Sequence, residues 1–355
     1  MVKVAAELHY DGTRLLSYDC VWNFIIGARG LGKTFYAKRL GLRQFIRNGW
    51  EFIYLRRTDV EQHTKGTFFS DIASMFPDWE FRVNGTRGEA HHKAWKKDDW
   101  RVCCHFIALS QAGHLKSVAY PNVHLIVYDE VFPNNGRYLP EETKAFTEFQ
   151  NTVDRWEDRV RVLFLSNAVS RANPYFAHYR IDLSAQEGRG QRFRTYAHGY
   201  IGVELADYGG FAAKVAESRF GRFLIDNDPE YAEYAIGNKF TDDVTALVQP
   251  LDKTAHLAWT LDAGGQDGLF GMWANILENG DTQMTVSRRV PRDNDAPHFT
   301  LEPTHVTEDT ILCVRSDDLL KRLCARYRSG RLWFDSGQAK ADFTPVMGRL
   351  LGGGR

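Results

Sequence analysis

The sequence predicts an α/β fold in which helices wrap a mostly parallel central sheet, followed by a smaller α+β module. Three observations predict this fold. A glycine-rich loop stands between an apolar strand and a helix, a β-rich run ends in two adjacent acids, and apolar runs alternate with helical patterns over about the first 180 residues. Such alternation is typical of parallel sheets, because parallel neighbours need a crossover connection that is usually a helix.

The glycine-rich loop has the pattern Gly-x-x-x-x-Gly-Lys-Thr. Residues 22–26 before it are apolar and β-rich, and residues 35–46 after it place apolar side chains at helical spacing. A strand that leads into a glycine loop and then a helix aims backbone N–H groups and the positive helix end at phosphate oxygens. The residues predicted to bind a nucleotide are Gly27, Ala28, Arg29, Gly30, Leu31, Gly32, Lys33 and Thr34.

Two side chains of this loop have separate predicted roles. Lys33 would reach the β- and γ-phosphates of ATP, and the hydroxyl of Thr34 would help to hold Mg²⁺. A chance glycine turn is the alternative interpretation. The strand before the loop and the helix after it favour the phosphate loop.

A second motif adds hydrolysis to nucleotide binding. Residues 123–128 form an apolar run that ends in Asp129 and Glu130. Asp129 is expected to hold Mg²⁺ directly or through water. Glu130 is expected to be the general base for the water that attacks the γ-phosphate, and a nucleotide kinase does not need this adjacent glutamate. Solvated acids at a strand end are the alternative, which weakens when both motifs occur together.

Further strands are predicted at 51–55, 102–109 and 160–165. In open α/β sheets the ligand lies at the carboxyl ends of the strands. Arg56 follows the first of these strands and Asn167 follows the last, so both are expected beside the phosphate loop. Arg56 is predicted to bind nucleotide. Asn167 is predicted to sense the γ-phosphate or the attacking water, with an ordinary polar strand terminus as an equal alternative.

Length and composition exclude several classes of protein. At 355 residues the chain is long for one core and suits more than one domain. No apolar run is long enough to span a bilayer and no signal-peptide core is present, so no membrane partner is expected. The five cysteines form no C-x-x-C pair, which disfavours a disulfide scaffold or a zinc site and indicates buried thiols in a reducing cytosol.

Two charged stretches lie between the predicted strands. Residues 81–100 interleave lysines, arginines and histidines with Trp95 and Trp100, which suits a hairpin on a phosphate backbone or, nearly as well, a solvated hairpin. The second stretch, residues 154–161, contains Arg155 and Arg159. Both are candidates for an arginine that is supplied to a neighbouring subunit's site. Ordinary surface ion pairing is the alternative for both.

The pattern changes at about residue 245, where short strands and turns begin. The elements predicted there are strands at 257–261, 269–276 and 283–286 and a helix at about 317–327. We therefore expect three domains, which are an ATPase-type domain over 1–200, a linker subdomain over 201–244 and a C-terminal α+β domain over 245–355.

With these motifs in place, the chain resembles the DNA-packaging ATPases of phi29-like small tailed phages. The resemblance covers about residues 15–240 and weakens beyond them. It rests on strings more specific than a phosphate loop, namely Leu16-Ser17-Tyr18-Asp19, residues 24–33 and 52–57, Ala119-Tyr120-Pro121-Asn122-Val123, Asp129-Glu130, Arg159-Val160-Arg161, residues 165–169, Asn173-Pro174-Tyr175-Phe176 and Arg219-Phe220-Gly221-Arg222.

The resemblance implies a ring of ATPase subunits, five in the family, at the portal vertex of an empty procapsid, where it drives double-stranded DNA inward. It implies a P-loop domain of the additional-strand, catalytic-glutamate class. It also implies action in the host cytoplasm, transiently at the portal, and absence from the mature virion. A structural packaging RNA is a further partner that the resemblance leaves open. The motif match assigns nucleotide, metal and catalytic roles to Lys33, Thr34, Asp129 and Glu130.

The same resemblance implies residues that act across a subunit boundary. Arg155 falls where the family has its trans-acting arginine finger, which favours it over Arg159. The neighbouring Trp156-Glu157 is less basic than the family pattern. Lys116 matches a family lysine that also reaches a neighbour's site.

For the C-terminal domain, the resemblance implies a ribonuclease H-like fold that has lost its metal cluster. One alternative is an active terminase-like nuclease, which needs clustered carboxylates and two metal ions. For the protein as a whole, a non-enzymatic alternative to the motor is a nucleotide-gated assembly scaffold without sustained turnover. Glycine turns attract aspartate without any such role. The carboxylates available to a nuclease are Asp262, Asp267, Asp281 and Asp335, and the basic residues that could contact DNA, portal or RNA are Arg288, Arg289, Arg292, Lys321, Arg322, Arg326 and Arg328.

Overall fold

The computed structural model describes residues 9–59, 65–115, 117–133, 138–167, 173–181, 183, 186, 189–227, 232, 248–264, 268–277, 280–314, 316–329 and 331–352. The chain divides into two compact units, each with its own sheet. The first unit comprises Met1–Pro133, Glu142–Val169 and Ala185–Lys239, and the second comprises Asn134–Glu141, Ser170–Ser184 and Phe240–Arg355.

The helices and strands of the described residues are numbered in chain order. The helices are α1 (Thr13–Leu16), α2 (Lys33–Asn48), α3 (Glu142–Asp154), α4 (Pro174–Tyr179), α5 (Gly209–Glu217), α6 (Arg219–Asn227), α7 (Asp318–Arg328) and α8 (Gly337–Gly352). The strands are β1 (Trp22–Gly27), β2 (Glu51–Arg56), β3 (Trp79–Asn84), β4 (Arg87–His92), β5 (Arg101–Ala108), β6 (Val123–Asp129), β7 (Arg161–Ser166), β8 (Phe193–Tyr196), β9 (Ile201–Ala206), β10 (His256–Asp262), β11 (Leu269–Ile276), β12 (Thr282–Ser287), β13 (His298–Thr300), β14 (Thr310–Leu312) and β15 (Leu332–Phe334).

The sheet of the first unit has the strand order β3-β4-β5-β2-β6-β7-β1-β9-β8 among the described residues. Six neighbouring strands of this order, β5-β2-β6-β7-β1-β9, run parallel to one another. The antiparallel hairpin β3–β4 flanks them on one side and the antiparallel strand β8 on the other. Every residue of β1 is buried, as expected for a central strand of a parallel sheet that is covered on both faces. The carboxyl ends of the parallel strands therefore meet along one edge.

The two faces of this sheet carry different packing. On one face, Ile25 of β1 belongs to a core cluster that includes Leu42 of α2. On the other face, Phe24 stacks on Phe164 with ring centroids 4.2 Å apart, and Phe164 lies 4.8 Å from Phe146 of α3. Burying each such side chain contributes about 1.5–3 kcal/mol. Both α2 and α3 are thereby held in fixed positions against the sheet.

The sheet of the second unit has the order β14-β13-β10-β11-β12-β15 among the described residues. The strands β10, β11 and β12 form an antiparallel meander, while β13, β14 and β15 join it by parallel pairing. Its core includes Leu261, Phe270 and Phe334 from the strands and Leu320 and Phe343 from α7 and α8. This is a mixed sheet with its own hydrophobic core.

The predicted strands and both predicted helices occur within about two residues of their expected bounds. The helices α1, α3, α4, α5, α6 and α8 were not predicted. β9 begins after the predicted boundary at residue 200 and pairs with β1 in the first sheet. The boundaries at residues 200 and 244 stay predictions. All five cysteines are buried, as predicted. None of the described helices is both long and apolar enough to cross a bilayer.

Candidate active site

The glycine loop connects β1 to α2 as its sequence predicts. Gly32 is the N-cap of α2 with φ at 95°, a left-handed conformation that glycine adopts without strain. A Cβ on Gly27 would lie 2.8 Å from the carbonyl oxygen of Ala206, so the close approach of β9 also requires glycine there. The first turn of α2, with its unpaired N–H groups and positive helix end, opens at this loop. The loop can therefore hold an anion.

Lys33 is the first residue of α2, and its side chain reaches back over the glycine loop. Its ammonium group donates hydrogen bonds to the carbonyl oxygens of Gly27 at 2.7 Å and Ala28 at 2.8 Å, and to Oδ1 of Asn167 at 3.1 Å. Burial lowers the pKa of Lys33 to about 8, an effect that the nearby charge of Asp129 opposes. Asn167, at the end of β7, thus lies beside the loop as predicted.

Asp129 ends β6 beside the start of α2. The hydroxyl of Thr34 lies 3.2 Å from Oδ2 of Asp129, and the hydroxyl of Tyr54 donates to the same oxygen at 2.5 Å. Burial, followed by the charge of Asp129, raises the pKa of Tyr54 well above its usual value. At neutral pH Tyr54 is therefore an O–H donor. Tyr54 was not among the residues that the sequence singled out.

These oxygens are suitable ligands for Mg²⁺. Mg²⁺ prefers hard oxygen donors and is commonly bound through one or two carboxylates together with substrate phosphates and water. The hydroxyl of Thr34 and the carboxylate of Asp129 supply that donor set. Among the described residues, no group of three His, Cys, Asp or Glu side chains could hold a metal ion by itself. A Mg²⁺ ion at Thr34 and Asp129 would therefore depend on the phosphates for further ligands.

Glu130 follows Asp129 and has an exposed side chain, of which 61% is accessible. Its carboxylate accepts a hydrogen bond from Arg56 at 2.7 Å, and Arg56 also lies 3.6 Å from Asp129. The structure thus places Arg56 against the two carboxylates. Glu130 has φ at 55°, an unfavourable conformation for a residue with a side chain. Such strain persists only where neighbouring contacts impose it.

A buried ion pair supplies those contacts. Arg57 donates to the carbonyl oxygens of Glu130 and Val131, at 3.2 and 2.6 Å. The same guanidinium pairs with Glu142 at the start of α3, where the two side chains are 5% and 0% exposed. Tyr128 donates to Glu142 as well, at 2.8 Å. Arg57 and Glu142 were not predicted, because a residue pair so far apart along the chain leaves no local signal.

Arg155 lies just beyond the last residue of α3. It is exposed, has φ at 54° and is followed by Trp156, which is 84% exposed. Asp154 accepts backbone hydrogen bonds from residues 158, 159 and 160, which fixes the loop. Arg159, by contrast, turns inward and donates to the carbonyl oxygens of Val123 and Val153.

These contacts locate Arg155 at the far edge of the sheet. α3 begins with Glu142 beside the carboxyl end of β2 and ends where Arg159 contacts Val123, the first residue of β6. Thirteen helical residues span roughly 20 Å. Arg155 therefore does not join the Lys33 and Asp129 cluster of its own chain. Lys116, the other residue expected to act across a boundary, lies outside the described residues.

A family model for the podovirus DNA encapsidation protein (Gp16) matches residues 4–344 of the chain. The chain belongs to this family. The DNA packaging protein of Bacillus phage phi29 is 32% identical over 334 residues, which are 93% of this chain and 94% of that protein. The DNA packaging protein of Bacillus phage B103 is 31% identical over 329 residues, 91% of this chain and 95% of that protein.

Two solved structures extend the similarity to the fold. The N-terminal domain of the DNA packaging ATPase from bacteriophage phi29 matches with a TM-score of 0.50 and 38% identity, over 57% of this chain and 97% of that one. A chain of the phi29 viral genome packaging motor assembly matches with a TM-score of 0.60 and 30% identity, over 97% of this chain and 99% of that one. The predicted family and the P-loop α/β fold class are confirmed. The ribonuclease H-like fold of the C-terminal domain stays a prediction.

The carboxylates that a nuclease would need have separate partners in the second unit. Asp262, at the end of β10, contacts His305 at 2.6 Å, whereas Asp335, after β15, contacts Ser287 at 2.5 Å. In the strand order β10-β11-β12-β15, three strand spacings separate these ends by roughly 14 Å. Asp281 lies before β12, and Asp267 is outside the described residues.

The two tryptophans of the charged stretch 81–100 each form a cation–π contact with a nearby arginine, one within the stretch and one at residue 101. The guanidinium of Arg82 lies 4.0 Å from the ring of Trp100, and that of Arg101 lies 4.0 Å from the ring of Trp95. The region forms the β3–β4 hairpin at the edge of the first sheet. Its contact with a phosphate backbone stays a prediction.

Proposed function

We propose that the chain is an ATP-hydrolysing motor subunit that moves double-stranded DNA into a procapsid. The observation that carries this proposal is the convergence of Lys33, Thr34, Asp129 and Glu130 at the carboxyl ends of parallel strands. It is supported by membership of the DNA encapsidation family and by similarity to the packaging ATPase and motor assembly of phi29.

In this proposal the glycine loop binds the phosphates of ATP. Backbone N–H groups of residues 27–34 and the positive end of α2 face the anion. The Lys33 ammonium is held at the centre of the loop by the carbonyls of Gly27 and Ala28. Because these are neutral partners, they leave its positive charge available to the β- and γ-phosphates.

Thr34 and Asp129 would hold Mg²⁺, which when bound neutralises charge on the β- and γ-phosphates. The carboxylate of Asp129 is already oriented, since Oδ1 accepts the backbone N–H of Glu130 at 3.1 Å and Oδ2 lies beside Thr34 and Tyr54. Asn167 reaches the same place through Lys33, and we assign it the role of sensing the γ-phosphate or the water.

Glu130 would take a proton from the water that attacks the γ-phosphate. A general base must lie within hydrogen-bond reach of that proton. The Arg56 guanidinium now occupies one oxygen of the Glu130 carboxylate, so movement of Arg56 would decide when the base is available. Arg56 therefore acts on the nucleotide through the carboxylates in this proposal.

The position of Arg155 supports a ring in this proposal. As an exposed arginine on a fixed loop, at the edge opposite its own phosphate loop, Arg155 is available to another molecule's site rather than to its own. There it would stabilise the charge that develops on the transferred phosphoryl group. We propose the same trans arrangement for Lys116, and a pentamer by analogy with the family.

The partners in this proposal are double-stranded DNA, the portal and procapsid, further copies of the chain and, as an open case, a structural packaging RNA. The protein would act in the host cytoplasm, transiently at the portal vertex, and leave before the virion is mature. For the C-terminal domain we propose a ribonuclease H-like fold, supported by the meander β10–β12 flanked by parallel strands.

Steady-state ATP hydrolysis tests this proposal. We expect turnover by the full-length protein, and we expect duplex DNA together with purified procapsids to raise its rate several-fold. A motor needs this coupling, whereas a nucleotide-gated scaffold needs no sustained turnover. If the protein binds nucleotide but does not hydrolyse it, either alone or with duplex DNA and procapsids present, the result would contradict the motor and favour the scaffold.

A further inference from the structure

Tyr54 approaches the Asp129 carboxylate from the strand beside it. It lies on β2, which pairs in parallel with β6, and its side chain shares a face with that of Arg56 because strand side chains alternate. The Tyr54 hydroxyl donates to Oδ2 of Asp129 at 2.5 Å. This donor comes from a different element than the phosphate loop that carries Thr34.

The ring of Tyr54 is held by aromatic neighbours. It meets Phe68 edge-on, with ring centroids 4.8 Å apart, and Phe106 at 6.3 Å. Such edge-to-face pairs fix the relative orientation of the rings. Tyr54 therefore has little freedom to turn its hydroxyl away from Asp129.

Phe68 is itself fixed from α2. The ammonium group of Lys38 donates to the carbonyl oxygen of Phe68 at 2.8 Å and lies 4.4 Å from the centre of its ring. Lys38 also pairs with Asp71 at 3.1 Å. The helix that begins at the phosphate loop thus supports, through Phe68, the tyrosine that contacts Asp129.

We propose that Tyr54 is a positioning residue that fixes the Asp129 carboxylate in the orientation needed to hold a Mg²⁺–nucleotide complex. The inference rests on the proposed function, in which Asp129 is the metal residue. A carboxylate that is already oriented loses less freedom on binding, and donors to ligating carboxylates commonly matter for metal affinity. Tyr54 touches neither nucleotide nor metal in this role.

The test compares nucleotide affinity with and without the metal. Binding of a fluorescent ATP analogue to full-length protein is measured in excess EDTA and in saturating Mg²⁺, and the ratio of the two Kd values gives the Mg²⁺-dependent gain. We expect Tyr54→Phe to reduce that ratio about 10-fold, the low end for the loss of a partner of a metal ligand, and to leave the Kd in EDTA unchanged.

Tyr128→Phe is the matched control. Tyr128 is buried, whereas Tyr54 is half-buried. Tyr128 immediately precedes Asp129, but its hydroxyl donates to Glu142 at 2.8 Å. Both variants lose one tyrosine hydroxyl that donates to a carboxylate, so thermal unfolding should report a loss of stability in each, at least as large in Tyr128→Phe. Only Tyr54→Phe should change the Kd ratio. An unchanged ratio in Tyr54→Phe, or an equal change in both variants, would overturn the inference.

A double-mutant cycle keeps the test decisive if Tyr54→Phe is less stable than its control. In an Asp129→Asn background, Tyr54→Phe should change the Kd ratio no further, because its target carboxylate is already gone. Additive effects would contradict positioning through Asp129. Failure of the proposed function looks different, since the wild-type protein would then bind nucleotide without hydrolysing it, whatever Kd ratio Tyr54→Phe shows.

Discussion

The carboxyl edge of the first sheet and that of the second sheet both carry aspartates, and they differ in what surrounds those aspartates. In the first unit, Asp129 lies within hydrogen-bond distance of Thr34 at the start of α2, and Lys33 lies on the same loop. In the second unit, Asp262 and Asp335 are three strands apart and contact a histidine and a serine.

A strand-end carboxylate gains a chemical role from its neighbours. In the first sheet, adjacent parallel strands bring a glycine loop, a basic residue and two acids to one place. In the second sheet, the meander inserts β11 and β12 between the two aspartates. Two carboxylate oxygens that bind the same Mg²⁺ lie no more than about 4 Å apart, because each is about 2 Å from the ion, whereas the ends of β10 and β15 are separated by roughly 14 Å. We therefore locate the chemistry in the first unit.

The largest effect is expected at Glu130. Glu130→Gln removes the proposed general base while keeping its size, so turnover should fall about 10⁴-fold, the upper end for general-base catalysis, with nucleotide affinity preserved. Steady-state hydrolysis and nucleotide binding measure the two quantities. Glu80→Gln is the control, because Glu80 is an exposed glutamate on β3. Turnover of Glu130→Gln at the wild-type rate would remove the catalytic role from this edge.

The next effect concerns Arg155. Loss of a trans-acting arginine costs about 10³-fold in turnover at the lower end, so Arg155→Ala and Lys33→Ala should each be nearly inactive alone. Mixing them should recover activity, because Lys33→Ala subunits still offer Arg155 to intact loops of their neighbours. Hydrolysis by the mixture is measured against each variant alone. A mixture as inactive as its components would contradict a shared site. Arg159→Ala is the control: it should lower the stability of the protein, and mixing it with Lys33→Ala should not recover activity.

A smaller effect is expected from pH. The pKa of Lys33 is lowered to about 8 by burial, so ATP affinity should decrease as the pH rises through about 8 and the ammonium is lost. One proton limits the slope to about tenfold per pH unit. The free energy of unfolding should rise over the same pH range. The unfolded chain holds this proton up to about pH 10.5, whereas the folded chain loses it at about pH 8 and then no longer buries a charge. The Kd for ATP is measured from pH 7 to 10. A Kd that does not change over this range would contradict this role of Lys33.

The smallest effect on activity is expected at Asp262. Asp262→Ala removes contacts to His305 and to the backbone N–H of Gly264, which should lower the unfolding midpoint by a few degrees, about 1 kcal/mol. DNA-stimulated hydrolysis should stay within about twofold, since Asp262 contacts residues of its own unit, namely Gly264, Thr300 and His305. If the wild-type protein instead cuts DNA in the presence of a metal ion, and Asp262→Ala abolishes this cutting, the second unit contains a nuclease.

Local spacing was enough to predict the phosphate loop with β1 and α2, and the strands that end at Arg56, Asp129 and Asn167. These features depend on contiguous residues, and parallel strands must place their ends along one edge. Arg56 contacts Glu130, which the sequence did not predict, and its binding of the nucleotide stays a prediction. Its direction depends on the pairing of β2 with β6, which no local pattern contains.

The residues that hold the site were harder to predict. Tyr54 looked like an ordinary strand residue, and the pair Arg57–Glu142 joins elements far apart along the chain. α3 had a local signal, since Phe146, Phe149 and Val153 are spaced as one helix face. α8 contains Pro345, which normally predicts a helix end. Tertiary packing outweighs that local preference here.

Packaging of DNA into purified procapsids, scored as DNA protected from added nuclease, tests the proposed motor most directly. With wild-type protein and ATP we expect protected genome-length DNA, and with Glu130→Gln in its place we expect none, although that variant still binds nucleotide. Protected DNA accumulating with Glu130→Gln at the wild-type level would contradict a motor driven by hydrolysis at the Lys33–Asp129–Glu130 site.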